Sequence, residues 1–382
     1  MAAGLLPPPG AGTLASVLPS VVTALGSTRY AARPVLPLAP ARRAVVVLVD
    51  GLGETLVRQR AGHAPFLRGG LSTAYSLACG FPSTTATSMG SFGTGLPPGA
   101  HGLVGYEVLD PETDRILNEL SWQDGPDPFR WQPEPTVFQA AESDGIPVTR
   151  IGPGFFDGSG LTNAALRGGR FRAAYALGVR VDEALAAVRA TPRALVYLYW
   201  GDVDKIGHVH GPRSIEWGEE VERVDAELAR LVASVPADTA VLITADHGMI
   251  EIPFERRVDL ADEPSLLGGV RHVGGEPRAV QLYCEPGAEQ DVYAAWSERF
   301  GAAALVTRRA VAVREGMFGP PEQVEARVLP RIGDVLVSCI ESIAIVDSRR
   351  MRPELLELVG LHGSVSEAET AIPLFHWPAR TA

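Results

Sequence analysis

Long apolar runs are missing from this 382-residue sequence. No stretch reaches the ~18 uninterrupted apolar residues that a membrane helix needs, so no membrane span is expected. Basic clusters are missing too. Lys and Arg number 34 against 45 Asp and Glu, the formal charge is −11, and no Lys/Arg stripe appears, so no nucleic-acid polymer is expected as a partner. Cysteine is scarce: Cys79, Cys284 and Cys339, none in a C-x-x-C pair. An odd, scattered set gives no disulfide framework. Buried thiols in a reducing compartment are the expectation, with one disulfide plus a free thiol as the alternative. The N-terminus has no positive charge before Arg29 and is broken by "PPP". It does not read as a signal peptide, and the expected location is cytoplasmic.

What is present is ordinary globular composition, 46% hydrophobic and 21% charged, in a chain long enough for one large domain with an insertion or for two domains. Three short, almost wholly apolar runs stand out: "AVVVLV" (44–49), "LVYLYW" (195–200) and "AVLITA" (240–245). Such runs suit central strands of a parallel sheet covered on both faces. Between the last two, Trp217, Val221, Val224, Leu228, Leu231 and Val235 recur every three or four residues, the pattern of an amphipathic crossover helix. The fold class is therefore α/β, a doubly wound, mostly parallel sheet flanked by helices. The expected organisation is an N-terminal arm over 1–43 packed on the body and an α/β core over 44–250. An inserted α+β segment over 251–330 carries the strand-like "PRAVQLYC" and "AALVTRRAVAVRE". A return to the core over 331–382 runs through "IGDVLVSC" and "SIAIVD".

Each apolar run ends in metal-capable groups: Asp50 after the first, Asp202 and Asp204 after the second, Asp246 and His247 after the third. In open parallel sheets ligands bind beyond the carboxyl ends of the strands, so the three turns share one binding edge. In "GDVDKIGHVHGP" (201–212), Asp204 and His208 stand at i and i+4, on one face of a helical turn and close enough to hold one ion. Asp202 and His210 are less well placed, and a polar loop reads equally well. Asp246 and His247 can both turn to one ion if the chain bends at Gly248. His362, in "LHGS", reads by itself as a surface or capping residue. Ser366 and Glu369 have capping-box spacing, which marks a helix start and nothing chemical.

The stretch "FPSTTATSMGSFGTGLPPGAHG" (81–102) holds seven Ser/Thr residues between Ser83 and Thr94 and enters a helix near Ser83–Thr85. Hydroxyls there are ordinary caps, and they also meet the free N–H groups of a ready anion site. No His or Lys lies nearby in sequence to act as base, so a nucleophile there needs activation by metal. His272 and Arg278, in "RHVGGEPR", read as lining of the substrate side or as a structural loop. Trp122, Trp131, Phe155 and Phe156 either stack a base or fill core, and core is favoured because aromatics are mostly buried.

Taken in order, these motifs resemble the alkaline phosphatase superfamily, and within it the type I phosphodiesterase/nucleotide pyrophosphatase family. The matching residues are Asp50, "FPSTT…TGLPPGAHG", the D-x-x-x-G-H-x-x-G-P of 204–212, "ADHGM" (245–249) and "HGS" (362–364). The resemblance implies two divalent metal ions, zinc in most members, with manganese compatible with the same ligands. By position, Asp50, Asp246 and His247 hold one ion together with the oxygen of Thr85, the nucleophile, with Thr84 as its nearest competitor. Asp204, His208 and His362 hold the other. The family's better-known members carry an Asn three residues after the nucleophile, where Ser88 stands here. The implied activity is hydrolysis of phosphodiester or nucleotide pyrophosphate bonds in a small phosphorylated substrate, a nucleotide among the candidates, through a phospho-threonine intermediate. The alternatives are a phosphomonoesterase or phosphonate hydrolase of the same superfamily and, in another class, a non-catalytic metal- or nucleotide-binding protein. A sulfatase does not fit, because "CGFPST" lacks the spacing and the arginine.

Overall fold

The first apolar run becomes the middle strand of a seven-stranded sheet in the computed structural model, which describes residues 12–30 and 36–380. The spatial order is Tyr75–Ala78, Ala371–Trp377, Thr239–Thr244, Arg43–Val49, Ala194–Trp200, Val148–Gly152 and Arg170–Ala173. Pairings from Thr239–Thr244 through Arg170–Ala173 are parallel, and only Ala371–Trp377 runs the other way. The sheet is thus mostly parallel and flanked by helices, as its all-apolar strands require: every residue of Thr239–Thr244 and six of seven in Arg43–Val49 are buried. The crossover helix is Ile215–Ser234, and it buries Trp217, Val221, Val224, Leu228 and Leu231, five members of the predicted stripe. Near the N-terminus, Leu14, Val17, Leu18, Val21 and Val22 pack into the same core from the short helix Val17–Ala24 and the turn before it.

A second, four-stranded sheet lies beyond the central one, in the order Val270–Glu276, Ala279–Cys284, Val335–Cys339, Ala304–Arg308, antiparallel throughout. The helix Glu289–Phe300 covers it, and Trp296, Phe300, Leu282 and Val337 form a core of their own. The return of the chain differs from expectation. Val335–Cys339 is inside this second sheet, and Ala344–Val346 pairs with Arg257–Asp259, so the chain rejoins the central sheet only at Ala371–Trp377. An apolar strand pattern says that a strand is buried, not which sheet it joins. Likewise "AALVTRRAVAVRE" splits into a strand, Ala304–Arg308, and a helix, Arg309–Arg314. Cys79, Cys284 and Cys339 are buried and free. Among the described residues no helix is long and apolar enough to cross a membrane.

Leu48, fully buried in the middle strand, gives a test of this arrangement. Leu48→Ala should lower the unfolding free energy by about 2–5 kcal/mol in a urea titration. A loss below ~0.5 kcal/mol, typical of surface sites, would contradict burial of that strand on both faces.

Candidate metal centre and active site

Register brings the carboxyl ends of three strands level, with Val49 opposite Trp200 and Leu48 opposite Thr244. Asp50 is one residue past its strand, and its N–H still donates to the Trp200 carbonyl (2.8 Å). Asp246 follows Thr244 by two residues and is fully buried, as is His247. Asp202–His210 forms a nine-residue helix rather than a loop, which sets Asp204 and His208 on one face with His208 Nε2 3.3 Å from Asp204 Oδ2. Asp202 and His210 are exposed and stay outside the cluster.

The hydroxyl-rich stretch delivers a ten-residue helix, Thr85–Thr94, preceded by Thr84 in extended backbone. Thr85 Oγ1 lies 3.2 Å from His247 Nε2. Thr84 is buried and its hydroxyl engages the Glu276 carboxyl, so of the two adjacent threonines only Thr85 faces the acidic cluster through His247. Ser88 donates its hydroxyl to the Asp246 carbonyl (2.8 Å) and braces that turn. His362 arrives from the far end of the chain. Its Nδ1 donates to the Ser83 carbonyl (2.8 Å), which turns Nε2 inward to 3.3 Å from His208 Nε2 and 3.8 Å from Asp204 Oδ1.

All seven residues singled out from the sequence therefore meet in one place. Asp50, Asp246 and His247 offer ligand atoms within 4.8 Å of one another, and so do Asp204, His247 and His362. His247 reaches both groups, and its ring stacks on His362 at 3.7 Å. His208 joins the second group through Asp204 and His362.

This cluster is electrostatically incomplete as a purely protein assembly. Asp50 Oδ1, Asp204 Oδ1 and Asp246 Oδ2 are buried without a hydrogen-bond partner among the described residues. Burial, with Asp246 and Asp204 close by, pushes the Asp50 carboxyl well above its ordinary range, and burial pushes Asp246 up as well. Burial acts the same way on Asp204, but the imidazoles of His208, His362 and His247 outweigh it and hold that carboxyl low. Burial lowers the pKa of His362 well below that of a free imidazole. Imidazole nitrogens and bare carboxylate oxygens, with no lysine or arginine among the described residues bonded to those oxygens, are the donor set that divalent cations take.

Three groups went unrecognised in the sequence. The Tyr199 hydroxyl donates to Asp50 Oδ2, orienting the other oxygen inward. Its only sequence signal is strand alternation next to a candidate ligand. Glu276, from the second sheet, sits behind His362 (Oε2 to Nδ1, 3.7 Å), and no spacing pattern marks it. Ser83 bonds through its hydroxyl to the Ser364 carbonyl (2.7 Å) and accepts from Gly363 N–H (3.1 Å), stitching the hydroxyl-rich loop to the His362 loop. The aromatics divide. Trp122 and Trp131 are core, whereas Phe155 is 69% exposed and Phe156, half-buried, lies 5.4 Å from Tyr199. Tyr175, 67% exposed, brings its hydroxyl against Gly154 in the same turn. The core expectation thus fails for the phenylalanines, because they follow a Gly-Pro-Gly turn that carries them off the strand.

Comparison with known proteins supports the fold and gives the family. In fold, the chain is similar to murine ectonucleotide pyrophosphatase/phosphodiesterase 5, with a TM-score of 0.68, 18% identity and 87% of each chain covered. It is also similar to phosphonoacetate hydrolase from Sinorhizobium meliloti 1021 in complex with phosphonoformate, with a TM-score of 0.66, 19% identity and 88% and 90% of the two chains covered. Among curated sequences, an uncharacterized pyrophosphatase/phosphodiesterase of Schizosaccharomyces pombe is 25% identical over 232 residues, 56% of this chain and 44% of that protein. Phosphopentomutase of Clostridioides difficile is 30% identical over 125 residues, 32% of this chain and 29% of that protein. The chain thus spans less than half the length of the curated relatives it matches. The family model for type I phosphodiesterase/nucleotide pyrophosphatase matches residues 44–365, a span that holds every one of the seven clustered residues, and the chain belongs to that family.

Proposed function

We propose that the protein hydrolyses phosphodiester or nucleotide pyrophosphate bonds, with Thr85 as nucleophile and two divalent metal ions as cofactors. The observation that carries this reading is the placement of Thr85 Oγ1, 3.2 Å from His247 Nε2 at the mouth of a nest of three partnerless buried carboxylate oxygens. Asp50, Asp246 and His247 would hold one divalent ion, zinc or manganese, and Asp204, His208 and His362 a second, which would supply the positive charge to activate the hydroxyl and stabilise the leaving oxygen. Support also comes from the murine fold neighbour, for which an inactive threonine-to-alanine variant is known in complex with AMP.

The chain's own groups divide the work. Thr85 Oγ gives up its proton and forms a bond to phosphorus as the bond from phosphorus to the leaving oxygen breaks, and the proton passes by way of solvent to the departing oxyanion. The first-turn N–H groups of Thr85–Thr94 face the phosphoryl oxygens with the positive end of the helix dipole. Water then attacks the phospho-threonine, releasing a phosphate monoester and restoring the hydroxyl. Tyr199 keeps Asp50 oriented, and Ser83 fixes the His362 ring. Phe155, 4.8 Å from Phe156, and Tyr175, whose hydroxyl lies against Gly154, present exposed aromatic faces suited to a planar leaving group such as a nucleobase.

Thr85→Ala should reduce bis-nitrophenyl phosphate turnover by a factor on the order of 10³ or more while metal content per chain is unchanged. Near-normal turnover by this variant would remove Thr85 from its role. In a side-by-side assay after chelation, zinc or manganese should restore cleavage of bis-nitrophenyl phosphate and a nucleotide diester well above that of mono-nitrophenyl phosphate. Faster cleavage of the monoester, or of phosphonoacetate, would replace the diesterase assignment with one of its two rivals. Tyr175→Ala should raise KM for the nucleotide diester roughly tenfold with kcat unchanged, near the low end of the ~1–3 kcal/mol that a stacked base contributes. An unchanged KM would place the leaving group elsewhere.

A further inference from the structure

A buried, bidentate ion pair at the second sheet, between Arg278 and Glu369, has no part in the chemistry above. Arg278 sits at the turn between Val270–Glu276 and Ala279–Cys284 in the second sheet, and its side chain and that of Glu369 are both fully buried. Arg278 Nε donates to Glu369 Oε1 (3.0 Å) and Nη2 to Oε2 (2.7 Å). Its other N–H groups go to the carbonyls of Cys339 (2.9 Å), Glu341 (2.7 Å) and Ile343 (2.7 Å). The predicted capping box is not formed. Ser366 starts the short helix Glu367–Thr370 without a side-chain cap, and its hydroxyl goes to the Glu369 carboxylate instead.

What Glu369 holds is more informative than what holds it. Its Oε1 accepts the N–H of Ser364, two residues after His362 (3.0 Å). Its carbonyl accepts the N–H of Gly248, the residue after His247 (2.8 Å). The loop so gripped is the one bonded to Ser83 at the start of the nucleophile segment. One residue, through its side chain and its main-chain carbonyl, thus ties the loops carrying His362 and His247 together, and the first of these is bonded through Ser83 to the segment carrying Thr85. A buried ion pair is weak as a source of stability, because well-packed apolar groups can replace it at little cost. It is strong as a geometric constraint, since a bidentate guanidinium fixes the carboxylate in plane and distance.

We propose that Arg278 and Glu369 are positioning residues for His362, setting the second ion's site through the Ser364 N–H, so that the second sheet takes part in assembling the metal centre. This rests on the reading of His362 as a metal ligand. The test titrates the full-length, metal-stripped protein with Zn2+ against a chromophoric chelator, with anomalous scattering from zinc-soaked crystals to show which site is filled. Arg278→Met/Glu369→Leu removes both charges together, leaving neither partner bare. It should keep wild-type affinity at the Asp50 site and lose about 10–100-fold at the Asp204 site, the usual effect of an outer-shell change. Arg278→Met/Glu369→Gln, which keeps an acceptor for the Ser364 N–H, should recover most of that loss. Ser366→Ala leaves the pair in place and should weaken the same site in the same direction by a smaller factor, which keeps the test decisive if the double variants fail to fold. Wild-type affinity at both sites in a folded Met/Leu variant, or in Ser366→Ala, overturns the proposal. So does an equal weakening of both sites, the result expected from a merely structural role. A wild type that binds fewer than two ions is a different result, which sinks the functional reading itself.

Discussion

Three carboxylates with buried, partnerless oxygens, Asp50, Asp204 and Asp246, converge at one sheet edge, and the rest of the architecture answers to that constraint. Removing a carboxylate from water costs several kcal/mol even after relaxation, and like charges at close range add to the cost. A protein can meet that cost by protonation or by opposite charge. Among the described residues no lysine or arginine pairs with these carboxylates, and the three imidazoles are shared between the acids and each other. The parallel sheet can only hold such a cluster because its strands are covered on both faces, so their carboxyl ends open into an enclosed crevice rather than into bulk water.

Much of this was legible in the sequence because the constraint is local at each strand. An apolar run followed at once by Asp fixes both the burial of the strand and the place of the acid, as with Asp50 after Val49 and Asp246 after Ala245. The i, i+4 spacing of Asp204 and His208 needs only a helix to act, and a helix is there. Residues whose role depends on a distant partner were not legible. Glu276 and Glu369 gain meaning only when the second sheet folds against the His362 loop, and Ser366–Glu369 misleads as a capping box because the glutamate has a stronger partner, Arg278, ninety-one positions away. Strand assignment failed in the same way: Val335–Cys339 reads as core strand, and is one, but of the other sheet.

Ser83 and Glu369 show how a site built from five remote segments can be held together. Each is small in the sequence and central in the hydrogen-bond pattern: Ser83 bonds backbone and side chain to residues 362–364, and Glu369 bonds to residues 248, 278 and 364. These bonds are mostly to backbone groups. Backbone contacts position a loop without competing for the ligand atoms of its side chains, which leaves Nε2 of His362 and Oδ2 of Asp246 free to face inward. The stacking of His247 on His362 at 3.7 Å then follows from the two loops being tied to the same carboxylate residue.

Charge sets the last condition. The chain carries a formal −11, and its proposed substrates are anions, so long-range attraction is not available to gather them. At physiological ionic strength the Debye length is about 8 Å, which confines the general repulsion to the surface and lets a few correctly placed positive groups decide binding at contact. In the proposed centre those groups are the bound ions and the N-terminus of Thr85–Thr94, both within the nest. Recognition in this reading is short-range and geometric: an anion is held at the edge where the sheet presents its uncompensated acids, because there a cation has a reason to sit.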